Sequence, residues 1–67
     1  MDYVSVVGEN AGKVWHVLDE QGPQNVTQLK KKVGGSNGAV EMALGWLARE
    51  GKIEFEQQKK SLIIKLK

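Results

Sequence analysis

The sequence ALGWLAREGKI, residues 43–53, decides the fold of this chain. Its apolar side chains recur at the spacing of one helix face, and the pattern then meets a glycine at Gly51. Glycine just after the last periodic residue is a natural helix terminator. The apolar stripe of this predicted helix consists of Val40, Ala43, Leu44 and Leu47. With Ser36 or Asn37 as its N-cap, the helix is expected to run to Glu50.

Beyond Gly51 the apolar period changes from that of a helix to the two-residue period of a strand. Ile53 and Phe55 alternate with glutamates, and a second alternation ends the chain. The apolar residues on one side of that second strand are Leu62, Ile64 and Leu66. The polar residues 57–61 between the two runs have the length of a hairpin turn. We therefore predict an antiparallel hairpin, in which Ile63 faces the other side and is covered by the N-terminal residues or by a partner chain.

Two further helices precede the segment. The first is expected from about residue 5 to residue 21, where Pro23 prevents its continuation. Its apolar stripe consists of Val7, Ala11, Val14, Trp15 and Leu18. The second is expected from Thr27, as N-cap, to Val33, after a very short strand at Val26. The predicted fold class is α+β, with three helices and a small antiparallel sheet.

The order helix, short strand, helix, tight turn, helix and hairpin is that of a winged helix-turn-helix. The sequence resembles a small bacterial family of such domains in residues 11–15 (AGKVW), 26–29 (VTQL) and 42–50 (MALGWLARE). The resemblance covers nearly the whole chain and implies one winged-helix domain over residues 1–67, with the C-terminal hairpin as the wing. It implies no particular activity, since fold alone does not specify function.

The composition excludes several classes of protein. The 67 residues include no cysteine, which excludes disulfide staples and thiolate metal sites. His16 is the single histidine, and Asp19 and Glu20 are sequence neighbours that do not face each other on a helix. We therefore expect a binding module without a cofactor rather than an enzyme. Because no apolar run approaches about 20 residues and the start lacks a signal-peptide pattern, we expect a cytoplasmic location and no membrane partner.

The charge distribution predicts a basic surface. The net charge is only +2, but residues 30–67 carry nine basic and four acidic residues, whereas residues 1–29 carry one basic and four acidic residues. Lysines on the second helix and in the hairpin turn would contact phosphates, which binds DNA weakly and nonspecifically, and Asn37 would contact a base edge. The predicted nucleic-acid-binding residues are Lys30, Lys31, Lys32, Asn37, Lys59 and Lys60. Alternatively, the lysines only keep the chain soluble and Asn37 is a helix cap.

A second apolar stripe on the third helix predicts a protein interface. Its residues are Ala39, Met42, Gly45 and Trp46. An exposed tryptophan and methionine are typical of interfaces, and a two-fold homodimer is the simplest way to cover them. The alternative is that the first helix covers this stripe, with Trp15 packed against it. Two functions therefore stay open, a DNA-binding module related to transcription and a protein-interaction or dimerisation module that binds no nucleic acid.

Overall fold

The computed structural model describes residues 3–34 and 38–67. The elements in chain order are α1 (Tyr3–Gln21), β1 (Gln24–Asn25), α2 (Val26–Val33), α3 (Ala39–Arg49), β2 (Ile53–Gln58) and β3 (Ser61–Leu66). The three strands form one antiparallel sheet with the order β1-β3-β2. The predicted α+β architecture is therefore confirmed for the described residues, in which no helix is long and apolar enough to cross a membrane.

The hairpin is longer and its turn tighter than the sequence predicted. The register pairs Ile53 with Leu66 at one end and Gln58 with Ser61 at the other. Only Lys59 and Lys60 connect the strands, so the predicted five-residue turn over 57–61 was too long. Gln57 and Gln58 belong to β2 and Ser61 belongs to β3, because Gln57 pairs with Leu62 and Gln58 pairs with Ser61 in the antiparallel ladder.

The start of α2 corrects two predictions. Thr27 was predicted as the N-cap and Val26 as a strand residue, but Asn25 caps the helix and Val26 is its first residue. The Asn25 side-chain oxygen accepts a hydrogen bond from the Gln28 backbone N–H at 2.8 Å. The Gln28 side-chain oxygen accepts one from the Asn25 backbone N–H at 2.9 Å. This reciprocal capping box satisfies two N–H groups at the helix start.

Asn25→Ala is expected to lower the free energy of unfolding by about 1 kcal/mol, because alanine cannot accept the Gln28 N–H bond. Asn25→Asp keeps the acceptor oxygen and is the matched control. Urea denaturation followed by circular dichroism measures both variants. Equal loss in both would show that the capping box does not account for the stability of this helix start.

The core takes one large, fully buried side chain from each of four elements. These side chains are Val14 of α1, Leu29 of α2, Val40 of α3 and Ile64 of β3. The predicted stripe of α3 is confirmed, since Val40, Ala43, Leu44 and Leu47 are all buried. Phe55 and Leu62 were expected to face the core but are 46% and 38% exposed. Phe55 lies on the edge strand β2, and Leu62 lies beside the turn.

Glycines set both ends of α3. Gly38 is the N-cap with φ of 75° and makes no side-chain capping bond. The predicted caps Ser36 and Asn37 lie outside the described residues. At the other end, Gly51 has φ of 72°, and the Lys52 N–H donates to the Leu47 carbonyl at 3.0 Å. This left-handed turn ends the helix as predicted and directs the chain into β2.

Candidate functional site

Two of the three lysines predicted on α2 are held by neighbouring elements. The Lys30 ammonium lies 2.8 Å from a carboxylate oxygen of Glu41 on α3. The Lys32 ammonium donates to the side-chain oxygens of Gln21 and Gln24, each at 2.6 Å. These bonds tie the end of α2 to α3 on one side and to the end of α1 on the other. Lys30 and Lys32 therefore have structural partners that a phosphate would have to displace.

Lys31 lies between them, is exposed, and has no hydrogen bond or ion pair within the described part of the chain. All three lysines occupy the last turn of α2. Positive charge there interacts favourably with the helix dipole, which gives the cluster a structural role as well. Of the lysine cluster, Lys31 is therefore the member without a bonding partner among the described residues.

Glu41 lies in the first turn of α3, on the face expected to approach DNA in a helix-turn-helix. The hydrogen bond from the Lys30 ammonium is the main cause that lowers the pKa of the Glu41 carboxyl below its ordinary value. A backbone hydrogen bond of Glu41 itself also lowers this pKa. The carboxylate is thus ionised at neutral pH, but Lys30 offsets its charge and so reduces the repulsion that it would exert on a phosphate.

Lys30→Met is expected to raise the pKa of Glu41 toward its ordinary value, because methionine neither donates the hydrogen bond that is the main cause of the lowered pKa nor supplies a positive charge. In the wild type the ionised carboxylate is the stabilised form, so the ion pair is present at neutral pH and is lost as the pH falls through the Glu41 pKa. An NMR pH titration of the glutamate side-chain carboxyls measures the change. The pKa of Glu56, lowered mainly by a hydrogen bond from Gln58, should stay unchanged and serves as the control. An unchanged Glu41 pKa would contradict the ion pair.

The tip of the hairpin carries two positively charged side chains. Lys59 and Lys60 are exposed and form no ion pair or hydrogen bond within the described residues. The nearby acid Glu56 is instead engaged by Lys65 at 3.5 Å and by the Gln58 side-chain amide at 2.9 Å. Every β2 residue after the first is exposed, whereas β3 packs against the helices. The two lysines lie at the turn that joins these strands and are accessible to a partner.

The apolar stripe predicted on α3 is divided by the fold. Ala39 is only 4% exposed, so its assignment to a surface stripe was wrong. It belongs to the buried side of the first helical turn, next to Val40. Met42 and Trp46 are 42% and 45% exposed, and Gly45 is exposed with open space beside it. The stripe is thus a smaller exposed apolar surface of Met42, Gly45 and Trp46.

The chain is similar to known proteins over nearly its whole length. A family model described as "Winged helix-turn-helix domain (DUF2582)" matches residues 1–66. The chain belongs to this family. An uncharacterized protein of Methanocaldococcus jannaschii, MJ1608, is 45% identical over 64 residues, which cover 91% of this chain and 90% of that protein.

A solved structure shares the fold. The solution NMR structure of protein BT2368 from Bacteroides thetaiotaomicron matches with a TM-score of 0.82 and 40% sequence identity, covering 92% of this chain and 76% of that chain. The winged helix-turn-helix predicted from the sequence is thereby confirmed.

The sequence alone did not reveal which lysines are free. Lys30 and Glu41 are 11 positions apart, as are Lys32 and Gln21, so no local spacing brings them together. The signal available was the single acid, Glu41, in the first turn of the helix that follows three lysines. Asn37, the predicted base-contacting residue, lies outside the described residues, and its role stays a prediction.

Proposed function

We propose that this winged helix-turn-helix domain is a binding module, not an enzyme, that binds double-stranded DNA through phosphate contacts without reading its sequence. The observation that carries the proposal is that Lys31, Lys59 and Lys60 are exposed and have no partner within the described residues. They lie on the helix-turn-helix and on the wing, two elements that such domains place against a duplex. Unpaired lysines attract phosphate and release counterions when they bind.

The exposed face of α3 supports binding without sequence readout. Gly45 offers no side chain, Met42 offers no strong hydrogen-bond donor, and Glu41 is engaged by Lys30. Specific readout needs side chains that make paired hydrogen bonds to base edges in the major groove. Arg49 is the exposed residue on this helix that could do so, and it lies at the C-terminal end. Phosphate contacts therefore account for most of the affinity that we propose.

The salt dependence of binding tests this proposal. Fluorescence anisotropy with a labelled random duplex should give a linear plot of log K against log salt concentration, with a slope of about −3 if three lysines contact phosphates. Duplexes of different sequence should give the same affinity. The absence of binding at about 50 mM salt with about 1 mM protein, or an affinity independent of salt, would contradict the proposal.

A second candidate function is protein interaction, favoured by the exposed apolar surface of Met42, Gly45 and Trp46. A two-fold homodimer would bury this surface in both copies at once. Sedimentation equilibrium tests it with Met42→Glu, which places a charge at the centre of the surface, and with Glu54→Met as a surface control on β2. Dissociation of a dimer by the first change and not by the second is expected. A wild-type chain that stays monomeric at about 1 mM would exclude even a weak dimer with a Kd below about 1 mM.

A further inference from the structure

A groove of about 650 Å³ lies between α1, the end of α3 and the base of the hairpin. Both tryptophans of the chain, Trp15 and Trp46, line it. No lining residue comes from α2 or from the turn that joins β2 and β3. The groove is therefore separate from the lysines of the proposed DNA-binding surface, and its volume lies in the range of ligand sites.

The two indoles form aromatic sides of the groove. Trp46 is 45% exposed although its sequence neighbour Leu47 belongs to the buried stripe of α3. Trp15 is half-buried, and its ring packs edge-on against His16 with 5.6 Å between centroids and 87° between planes. Rings held at the side of a groove contribute large apolar contact at little entropic cost, because few side-chain torsions remain to be ordered. An apolar or aromatic side chain is the matching anchor.

The α1 side of the groove is open because of its glycines. Gly8 and Gly12 lie one turn apart on α1, and beyond the adjoining backbone of the helix itself nothing lies within 4 Å of the position that a Cβ would take at either. Interior glycines weaken a helix relative to alanine, and this helix of 19 residues carries two of them on the groove side. Without side chains there, the backbone of another polypeptide can approach the helix closely. The glycines thus favour a peptide as the occupant.

The charges around the groove favour a negatively charged peptide. Lys52 and Lys67 line it, and no aspartate or glutamate side chain does so among the described residues. A second copy of this chain is a poor occupant, because a two-fold dimer through this groove would bring together two copies of Lys52 and Lys67, whose charges repel. Acidic residues flanking an apolar anchor complement the groove instead.

We propose that this groove binds an acidic peptide segment of a partner protein, with an aromatic or aliphatic anchor between Trp15 and Trp46. The anchor lies between the two indoles, the peptide backbone passes over Gly8 and Gly12, and carboxylates of the segment approach Lys52 and Lys67. This function is additional to DNA binding and does not depend on it.

An NMR titration with three blocked peptides tests the proposal. Their sequences are Glu-Phe-Glu-Leu-Glu, the same peptide with glutamine for each glutamate, and the same peptide with lysine for each glutamate. The indole N–H resonances of Trp15 and Trp46 should shift with the acidic peptide. Its Kd should be at least about threefold below that of the glutamine peptide, as expected for two exposed ion pairs, and the lysine peptide should bind most weakly.

Two matched charge variants separate the groove from the wing. The double variant Lys52→Gln, Lys67→Gln should abolish the preference for the acidic over the glutamine peptide. The double variant Lys59→Gln, Lys60→Gln removes the same number of charges outside the groove and should keep the preference. Preference lost equally in both variants would overturn the proposal, because it would then follow net charge alone.

Gly12→Leu tests the open side of the groove. The added side chain should weaken all three peptides, while the melting temperature stays the same or rises because leucine is a better helix former than glycine. Thr27→Leu, at an exposed position of α2 outside the groove lining, is the control and should bind the acidic peptide as the wild type does. The proposal is overturned by unchanged peptide binding in Gly12→Leu or by equal binding of the acidic and lysine peptides. It is also overturned if neither indole N–H resonance shifts with any peptide at about 5 mM, a concentration that would reveal even a millimolar Kd. A shift of the Trp46 indole resonance on dilution of the protein alone would overturn it too.

Discussion

Leu44→Ala is expected to lower the free energy of unfolding by about 2–5 kcal/mol. Leu44 is 5% exposed and packs in the core with residues of the other helices and of β2 and β3. Alanine leaves a cavity there that the surrounding helices can close only in part. A domain of this size has a small total stability, because short chains bury a smaller fraction of their surface. The variant should therefore be largely unfolded or melt far below the wild type.

Leu62→Ala is the matched control for this prediction. It makes the same chemical change at a leucine that is 38% exposed beside the hairpin turn. We expect it to cost less than about 1.5 kcal/mol, because the removed atoms are partly in water already. Thermal and urea denaturation followed by circular dichroism compare the two. Equal costs would mean that the core is not centred on the α3 stripe.

Reversing the charge at the wing tip should have the largest effect on DNA binding. The double variant Lys59→Glu, Lys60→Glu replaces two free cations by two anions at the end of the hairpin. Two lost phosphate contacts should weaken binding at least about tenfold at about 50 mM salt, equally for every duplex sequence, and the slope of log K against log salt should become shallower by about two. Anisotropy titrations at several salt concentrations measure both quantities.

The control for this variant keeps the change in net charge and moves it elsewhere. The double variant Lys52→Glu, Lys67→Glu alters two lysines at the base of the hairpin, outside the proposed DNA contacts. Its salt slope should stay close to that of the wild type. Similar weakening by both double variants would mean that overall charge, and not the wing, drives binding.

The order of elements was predictable because local patterns agree with the tertiary fold. The stripe of α3, the terminator Gly51 and the start of β2 at Ile53 all lie as predicted. α1 begins at Tyr3, before the range expected from the sequence. Gly8 and Gly12 are weak helix formers, but packing of α1 against α3 stabilises the helix as a whole.

The start of α2 could have been predicted from the sequence. Asn25 and Gln28 have the spacing of a capping box, whereas Thr27 was predicted as the N-cap because threonine is a favoured capping residue. A β-branched residue such as Val26 is acceptable at the start of a helix once the cap before it is satisfied. The position of this cap follows from two side chains that bond to each other's backbone.

The sequence could not predict which lysines of α2 bond to neighbouring elements, because this depends on contacts between elements. Glu41 selects Lys30, and the side chains of Gln21 and Gln24 select Lys32, only after α1, α2 and α3 have packed. The groove could not have been predicted either, because its lining comes from two helices and from the base of the hairpin, where β2 begins and β3 ends. Periodicity identifies the buried face of each element but does not tell which exposed faces meet.

An amide NMR titration with a short random duplex tests DNA binding by this domain most directly. We predict shifts at Lys31, Lys59 and Lys60 at low salt that fade at about 200 mM salt, where phosphate contacts are weakened by competing counterions. Shifts that are absent at these lysines at low salt, or that persist unchanged at the higher concentration, would contradict a phosphate-binding surface formed by α2 and the wing.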